Sequence, residues 1–294
     1  MTSSRQFPLI WLRDHDRSDH GYNHSTFQRK VDTFSLHNLV LNELVIENGS
    51  LLAKWSDGVV TSYPCQFFED LINEKTCDQL ISPIHQTWTG AELFDLYQAE
   101  DIPTYGELMS PESQFDSRKR MMQTLLKYGV CWLKETPSKH EATVAAAQAF
   151  SVVQANVFGH DWSFTADGAR SDTAYTALGI GLHTDATYYT QPMGIQIFHV
   201  LDHNGNGGAT MLSDGFNAIK QLDEHAIDVL TKFVLRHEYK ELGQPGHHVH
   251  SVGTVIGVNK LNGGVRRLRF NNFDRAPIKP ENCEEFYHAY SSLG

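Results

Sequence analysis

One histidine and one aspartate, His183 and Asp185, are separated by a single residue and could ligate the same divalent metal ion. In an extended segment, residues i and i+2 point to the same face, so both side chains would lie together while Thr184 faces away. Two histidines and one carboxylate on one face of an octahedron bind Fe(II) in non-haem oxygenases and leave positions for a co-substrate and oxygen. A lone His-x-Asp also occurs in ordinary surface turns, so the surrounding chain decides between the two interpretations.

The residues after this motif predict strands that could position it. Residues 194–200 alternate as a strand does, residues 204–208 are typical of a turn, and residues 209–214 continue from that turn. Gly207 and Gly208 permit a tight turn, and Thr210 supplies a hydroxyl donor after it. On its own, this Gly-Gly-x-Thr pattern indicates only a hairpin.

Composition excludes several classes of protein. The 294 residues carry a formal net charge of −11, which argues against a nucleic-acid partner, and 40% of them are hydrophobic, which is enough for a core. The longest apolar runs are far shorter than the ~20 residues of a membrane span, and no secretory segment is evident. We therefore expect neither a nucleic-acid nor a membrane partner. A reducing compartment fits the cysteines, which lack the spacing of a disulfide framework or a cysteine zinc site: Cys65, Cys77, Cys131 and Cys283.

The hydrophobic pattern divides the chain into a small unit, residues 1–82, and a larger one, residues 88–294. The small unit has apolar runs at 39–41, 44–46 and 51–55, separated by turn residues, which predicts a β-meander. In the larger unit we expect helices from residue 89, over 112–128, 139–153, 217–234 and 284–292, and a buried strand at 130–133. Helix-flanked strands leading into a β region favour a jelly-roll barrel.

Seven short motifs occur in order along nearly the whole chain. They are WLRD at 11–14, WSDG at 55–58, DTAYT at 172–176, HTD at 183–185, GGAT at 207–210, DGF at 214–216 and RFNNFDRA at 269–276. Together they resemble the 2-oxoglutarate-dependent trimethyllysine dioxygenases and their relatives, the gamma-butyrobetaine dioxygenases of carnitine biosynthesis. Several ordered motifs are far more specific than any one of them.

The resemblance implies a mainly β fold with flanking helices. A small N-terminal β domain would precede an incomplete double-stranded β-helix, the jelly roll of the TauD-like Fe(II)/2-oxoglutarate oxygenases. It also implies Fe(II) and L-ascorbate as cofactors, 2-oxoglutarate as co-substrate, and hydroxylation of the small molecule N6,N6,N6-trimethyllysine to 3-hydroxy-trimethyllysine, the first step of carnitine biosynthesis. His183 and Asp185 would be iron ligands, and Thr210 would lie near the 2-oxoglutarate carboxylate.

The resemblance points to the mitochondrial matrix, whereas residues 1–5 show little of a transit peptide, so a cytoplasmic location stays open. A homodimer is also left open.

Three aromatic residues match positions that form a cage for the trimethylammonium group in the family: Phe158, Trp162 and Tyr175. Such a cation has no N–H to donate, so ring faces would hold it by cation–π attraction. Phe158 stands where a tyrosine is expected, and it would line the cage without a hydroxyl. The alternative is that all three are core aromatics, which is how most such residues are used.

Three polar residues match positions that would hold the other end of the substrate. Asp172 resembles the trimethyllysine enzymes, because the butyrobetaine enzymes carry an amide residue there, and a carboxylate could pair with an α-ammonium group. Asn271 and Asn272 fall where the family places an asparagine on the substrate's polar end. Alternatively, Asp172 caps a helix or turn, and the paired asparagines form a turn.

The N-terminal unit departs from the family, in which three cysteines and a histidine hold a structural zinc. The corresponding positions hold Asp16, Ser18, Gly21 and Val59, so we expect this zinc site to be absent. Nearby polar residues could bind a metal in a new arrangement, although a surface loop is the simpler interpretation: His15, Asp16, His20 and His24.

The third iron ligand and the arginine that pairs with 2-oxoglutarate are expected after a helix at 284–292, and the sequence ends at residue 294. None of the eight histidines after Asp185 follows an apolar strand and precedes an arginine, as the family ligand does. We therefore expect a C-terminally shortened trimethyllysine dioxygenase with impaired activity, because two ligands bind iron more weakly than three. The alternatives are a gamma-butyrobetaine hydroxylase and a non-catalytic binding or regulatory protein.

Overall fold

A computed structural model describes residues 6–73, 84–99, 101–165, 173–242, 246–260, 262–281 and 283–294. The chain divides into two compact units, Met1–Pro83 and Ile84–Gly294. The strands of the described residues form four separate antiparallel sheets, one of three strands and three of two strands. Small antiparallel sheets with flanking helices are therefore present, while the incomplete double-stranded β-helix, or jelly roll, stays a prediction.

The first unit is built on a three-stranded meander. Strand β4 (Ser50–Trp55) pairs with both β3 (Leu41–Glu47) and β5 (Val60–Pro64), as the apolar runs predict, so the predicted meander is confirmed. Between β3 and β4, Asn48 and Gly49 have φ angles of 48° and 74°, the left-handed values that a two-residue hairpin turn requires. The elements of this unit are α1 (Leu9–Asp14), β1 (Tyr22–Asn23), β2 (Gln28–Arg29), β3 (Leu41–Glu47), β4 (Ser50–Trp55), β5 (Val60–Pro64) and α2 (Cys65–Asn73).

Two large aromatic side chains form the centre of this unit. Trp55 and Tyr63 are buried against Leu12 and Ala53. Each polar tip has a partner: Trp55 Nε1 donates to Thr61 Oγ1 at 2.9 Å, and the Tyr63 hydroxyl contacts Thr61 Oγ1 at 2.8 Å and the Leu12 carbonyl. Burial raises the pKa of Tyr63 to about 12. Burying the indole N–H and the phenol hydroxyl therefore costs little free energy, because both groups are hydrogen-bonded.

A buried carboxylate organises the loop that follows α1. Asp16 is fully buried, and Oδ1 accepts from the backbone N–H groups of Ser18 at 2.9 Å and Ser62 at 3.3 Å. The Ser18 hydroxyl donates to Oδ2 at 2.8 Å. A Cβ on Gly21 would lie 2.4 Å from Asp16, so the loop closes around the carboxylate only because residue 21 is a glycine. Asp16 thereby ties the loop to β5.

Two of the three histidines in the same loop, His15 and His24, have separate partners. The ring of His15 stacks on Trp11, with centroids 4.1 Å apart, and its Nδ1 donates to the Trp11 carbonyl at 2.9 Å. His24 Nε2 donates to the Arg17 carbonyl at 3.0 Å, and His20 is exposed. In this loop, which lies wholly within the described residues, these side chains form no metal-binding group with Asp16.

The second unit begins with four helices, α3 (Gly90–Ala99), α4 (Tyr105–Met109), α5 (Gln114–Tyr128) and α6 (His140–Phe150). Helix α5 ends as predicted at Gly129, whose φ of 73° forms a left-handed cap. Leu108, Met121, Ala146 and Phe150 pack together between α4, α5 and α6. The strand predicted at 130–133 is wrong: these residues are irregular, and only Lys134 forms an isolated bridge, to Thr104. Among the described helices, none has the length and apolar character needed to cross a bilayer.

The remaining elements form a second core around two hairpins. They are α7 (Gly215–Lys220), α8 (Glu224–Lys232), β6 (Val234–Glu241), β7 (His247–Thr254), β8 (Ile256–Val258), β9 (Val265–Leu268) and α9 (Cys283–Ser291). The single helix predicted over 217–234 is wrong, because Asp223 starts a new helix by accepting from Ala226 N at 2.7 Å. Leu230, Ile256 and Phe286 are fully buried where α8, β8 and α9 meet.

Residues 176–213 carry the predicted site strands and are irregular, so the strands predicted over 194–200 and 209–214 are wrong. Ile195, Ile197, Phe198 and Val200 are exposed. The alternation of apolar and polar residues indicates which side chains would share a face. A strand forms only when its backbone N–H and C=O groups can pair with a neighbouring strand. Within the described residues these segments have no such neighbour.

Candidate metal centre and aromatic cluster

The two predicted metal ligands are adjacent. His183 Nε2 lies 3.0 Å from Asp185 Oδ1. The other ring nitrogen of His183, Nδ1, donates to the Gly181 carbonyl at 2.7 Å, and Gln196 Nε2 donates to Asp185 Oδ2 at 2.5 Å. One atom of each side chain is thus held by the protein, and the other faces its partner. This is how outer contacts orient ligands in metal sites.

This geometry fits a single divalent ion. Two ligand atoms that each lie about 2.1 Å from one ion, in adjacent octahedral positions, are about 3.0 Å apart. The distance from His183 Nε2 to Asp185 Oδ1 is 3.0 Å. The two side chains are 25% and 45% exposed, so an ion from solvent can reach them. An imidazole and a carboxylate suit Fe(II) among the divalent metals.

The two side chains also shift each other's pKa values. The hydrogen bond with Asp185, followed by the Gly181 carbonyl, raises the pKa of His183 to about 9. The same hydrogen bond, supported by Gln196, lowers the pKa of Asp185. At neutral pH the pair is therefore an imidazolium and a carboxylate. A bound cation would take the place of the proton that they share.

A distant segment clamps the backbone on both sides of Asp185. Thr184 exchanges hydrogen bonds with Phe270: Thr184 N donates to the Phe270 carbonyl at 2.7 Å, and Phe270 N donates to Thr184 Oγ1 at 2.9 Å. Asn271 Nδ2 donates to the Thr184 carbonyl at 3.3 Å and to Asp274 Oδ2 at 2.9 Å. Thr187 Oγ1 donates to the same Asp274 oxygen at 3.2 Å. The HTD and RFNNFDRA motifs are therefore joined by hydrogen bonds and lie side by side.

A third protein ligand is not assembled in the described part of the chain. No three His, Cys, Asp or Glu side chains there are placed so that they could hold a metal ion. His199 Nδ1 lies 2.7 Å from Thr143 Oγ1, His225 lies 3.3 Å from Glu285, and His237 is buried in β6. His183 and Asp185 are therefore the ligands that these residues offer.

Two of the three predicted cage residues come together in a larger aromatic cluster. Phe158 stacks on Trp162 with centroids 5.1 Å apart, and Phe158 also contacts Tyr239 at 5.5 Å. Tyr239 stacks on Tyr188 at 5.2 Å. Tyr188 lies three residues after Asp185 in the sequence. The cluster also packs against Ala186, the residue that follows Asp185. Trp162 is 39% exposed, so this edge of the cluster is accessible.

Among the other predicted site residues, Asn271 is the one that contacts the segment of the pair, through the Thr184 carbonyl. Tyr175 is buried and contacts Phe164, with centroids 5.8 Å apart. Thr210 and Asn272 are exposed, whereas Asn271 is buried with its amide bound to protein groups. Asp172 lies outside the described residues.

Four residues of the site were missed by reasoning from sequence: Gln196, Asp274, Tyr188 and Tyr239. A signal existed for Gln196, because it is the one polar residue inside the apolar run at 194–198. Tyr239 carries no such signal, since it lies 81 residues from Phe158 and only the fold brings the two rings together.

Residues 94–294 match the family described as taurine catabolism dioxygenase TauD, TfdA family. The mitochondrial trimethyllysine dioxygenase of Rattus norvegicus is 36% identical over 296 positions, which cover 98% of this chain and 69% of that protein. The corresponding Homo sapiens enzyme is 34% identical over 98% of this chain and 68% of its own length. A trimethyllysine dioxygenase of Neurospora crassa is 25% identical over 92% of this chain and 64% of its own length. Because the family match covers most of the chain, and two relatives exceed 30% identity, the chain belongs to the TauD/TfdA family of 2-oxoglutarate-dependent dioxygenases.

Proposed function

We propose that this dioxygenase hydroxylates N6,N6,N6-trimethyllysine at its third carbon. The observation that carries the proposal is the adjacency of His183 and Asp185, whose Nε2 and Oδ1 atoms are 3.0 Å apart, in a member of this family. The relatives at 34% and 36% identity are named trimethyllysine dioxygenases, which supports the choice of substrate.

The protein's contribution is to hold the metal, the co-substrate and the substrate in place. His183 and Asp185 would hold Fe(II), which would supply the oxidising chemistry: one atom of O₂ would enter the product hydroxyl group and the other the succinate formed from 2-oxoglutarate with release of CO₂. The Gly181 carbonyl and Gln196, which bind His183 Nδ1 and Asp185 Oδ2, would hold the two side chains in place for the metal. We assign the Thr210 hydroxyl to a carboxylate of 2-oxoglutarate, and L-ascorbate to the maintenance of reduced iron.

The aromatic cluster is assigned to the trimethylammonium end of the substrate. The ring centroid of Phe158 lies 5.1 Å from that of Trp162 and 5.5 Å from that of Tyr239, and Trp162 is accessible. A quaternary ammonium cannot donate a hydrogen bond, so cation–π attraction is the interaction that recognises it. Tyr175, in its separate pair with Phe164, stays a predicted cage residue.

Three polar side chains are assigned to the amino-acid end. Asp172 would pair with the α-ammonium group, and Asn271 and Asn272 would bind the carboxylate; of these two, Asn272 is exposed and Asn271 is buried. Butyrobetaine lacks an α-ammonium group, so Asp172 would select against it. An Asp172→Asn variant should therefore lose its preference for trimethyllysine.

Succinate formation tests the proposal. The purified chain would be incubated with Fe(II), ascorbate and 2-oxoglutarate, in parallel with trimethyllysine, with gamma-butyrobetaine and without either. We expect trimethyllysine to give the fastest succinate formation. His183→Ala should abolish this dependence, and His288→Ala, a change of an exposed histidine in α9, should preserve it. Equal succinate formation with and without trimethyllysine would refute the assigned substrate.

Binding without turnover is a second candidate function. It is favoured by the described residues, which assemble two metal ligands and no third. In that case calorimetry would detect trimethyllysine binding, while no succinate would form. Binding that weakens in Trp162→Ala, in a chain without turnover, would support this function over the first.

The mitochondrial matrix is the proposed location. The Rattus norvegicus and Homo sapiens relatives carry the word mitochondrial in their names. Immunogold labelling of the native protein tests this, and labelling confined to the cytosol would refute it.

A further inference from the structure

A buried arginine holds the backbone just after the metal-ligand pair. Arg269 is 2% exposed, and its guanidinium donates to the Thr187 carbonyl through Nη2 and to the Val252 carbonyl, 3.4 Å away, through Nη1. Ser251 Oγ donates to the same Thr187 carbonyl at 2.8 Å and accepts from Arg269. The Thr187 carbonyl, two residues after Asp185, is therefore fixed by two donors.

The contacts of Arg269 are unusual for a buried cation. Within the described residues they are carbonyl and hydroxyl oxygens, and no carboxylate is among them. Burial, followed by the charge of Arg267, lowers the pKa of Arg269. Because a buried charge without a counter-charge is costly, Arg269 is a poor choice for packing alone. Its planar fork can, however, bind two oxygens at once in a fixed geometry.

The backbone between Asp185 and Thr187 has an unfavourable conformation that hydrogen bonds from neighbouring residues must stabilise. Ala186 is buried with a φ of 59°, and its carbonyl accepts from Tyr189 N at 3.0 Å. This left-handed conformation costs a residue other than glycine about 1–2 kcal/mol. It persists where the surroundings hold it in place. Ala186 directly follows Asp185, so a donor that fixes the next carbonyl also restrains the backbone that carries the Asp185 carboxylate.

A glycine provides the space for this contact. A Cβ on Gly253, in β7, would lie 2.4 Å from Arg269 Nη1, so any side chain there would displace the guanidinium. Gly257, in β8, has more room, since its Cβ would come no closer than 3.4 Å to another residue. Gly253→Ala therefore moves Arg269 without removing its charge, and Gly257→Ala is the matched control.

We propose that Arg269 is a positioning residue for the metal centre: by holding the Thr187 carbonyl it fixes the turn that presents Asp185 beside His183. This inference rests on the proposed function only in that the pair binds a divalent metal. It makes no assumption about the substrate.

Direct metal binding tests the proposal. Free Mn(II) would be measured by electron paramagnetic resonance during titration of the full chain, with no substrate present. We expect Arg269→Met and Gly253→Ala to weaken Mn(II) binding about tenfold or more, the usual effect of losing an outer contact of a metal site. Gly257→Ala should bind as the unchanged chain does. The Mn(II) affinity of Arg269→Lys should lie between that of Arg269→Met and that of the unchanged chain, because an ammonium group cannot bind both carbonyl oxygens as a guanidinium does.

A second comparison separates positioning from general destabilisation. Leu230→Ala removes a fully buried side chain of the same unit without touching the site, so it should lower the melting temperature and leave Mn(II) affinity unchanged. Unchanged Mn(II) binding in Gly253→Ala and Arg269→Lys would overturn the proposal, and these two variants decide the question if Arg269→Met does not fold. If the unchanged chain and His183→Ala bind Mn(II) equally weakly, the metal pair itself is refuted, which is a failure of the proposed function.

Discussion

The buried carboxylate of Asp16 should stabilise its loop without any metal. Asp16→Ala removes the acceptor of three hydrogen bonds, from Ser18 N at 2.9 Å, Ser18 Oγ at 2.8 Å and Ser62 N at 3.3 Å. Each lost bond of this kind costs about 1 kcal/mol, and the longest one less, so the loop should lose about 2–3 kcal/mol. Local opening would then become about 30- to 150-fold more frequent.

Hydrogen exchange of the full chain measures this loss where it occurs. Peptides covering residues 15–22 and 58–65 should exchange about 30- to 150-fold faster in Asp16→Ala. A chelator should not change the exchange rate of these peptides in the unchanged chain. Asp19→Ala is the matched control, because the Asp19 side chain is 99% exposed. Equal exchange in Asp16→Ala and Asp19→Ala, or faster exchange on adding chelator, would contradict the account of this loop.

Three further predictions concern the second unit. Phe158→Ala removes a ring that contacts Trp162, so the KM for trimethyllysine should rise about 3- to 30-fold while the KM for 2-oxoglutarate stays constant; a rise in both would show general damage. Burial, followed by the charges of two arginines, lowers the pKa of His237 to about 4 in the folded chain. The unfolded chain therefore protonates His237 more readily than the folded chain does. The free energy of unfolding should fall by about 3 kcal/mol as the pH drops from about 6.5 to 4. His237→Gln should flatten this dependence in denaturation at several pH values, and an unchanged slope would exclude His237 as its source. Leu230→Ala should lower the free energy of unfolding by about 2–5 kcal/mol in urea, whereas a loss below about 1 kcal/mol would show that the core of α8 is loosely packed.

Local features of the fold followed from the sequence because their causes are local. The hairpin at Asn48 and Gly49 forms because these residue types accept positive φ, and α5 ends at Gly129 for the same reason. The adjacency of His183 and Asp185 was also predictable, since two residues at this spacing need only one turn of backbone. The strands expected over 194–200 and 209–214 failed because alternation carries no information about a pairing partner.

The surroundings of the site could not be predicted, because they depend on residues far apart in the chain. Thr184 bonds to Phe270 across 86 positions, and Arg269 reaches Thr187 across 82. The sequence predicts substrate contacts for Asn271 and Asn272 and gives no sign that the Asn271 amide donates to the Thr184 carbonyl and to Asp274. The substrate roles of both residues stay predictions. A motif indicates which residues belong to a site, and only the fold shows which of them contact one another.

The most direct test of the central claim is the origin of the oxygen atom in the product. The chain would be incubated with trimethyllysine, 2-oxoglutarate, Fe(II), ascorbate and isotopically labelled O₂, and the product would be analysed by mass spectrometry and fragmentation. The account predicts trimethyllysine carrying one labelled hydroxyl group on its third carbon, and no such product from His183→Ala. An unmodified substrate from a folded, metal-binding chain, or the same hydroxylated product from His183→Ala, would contradict it.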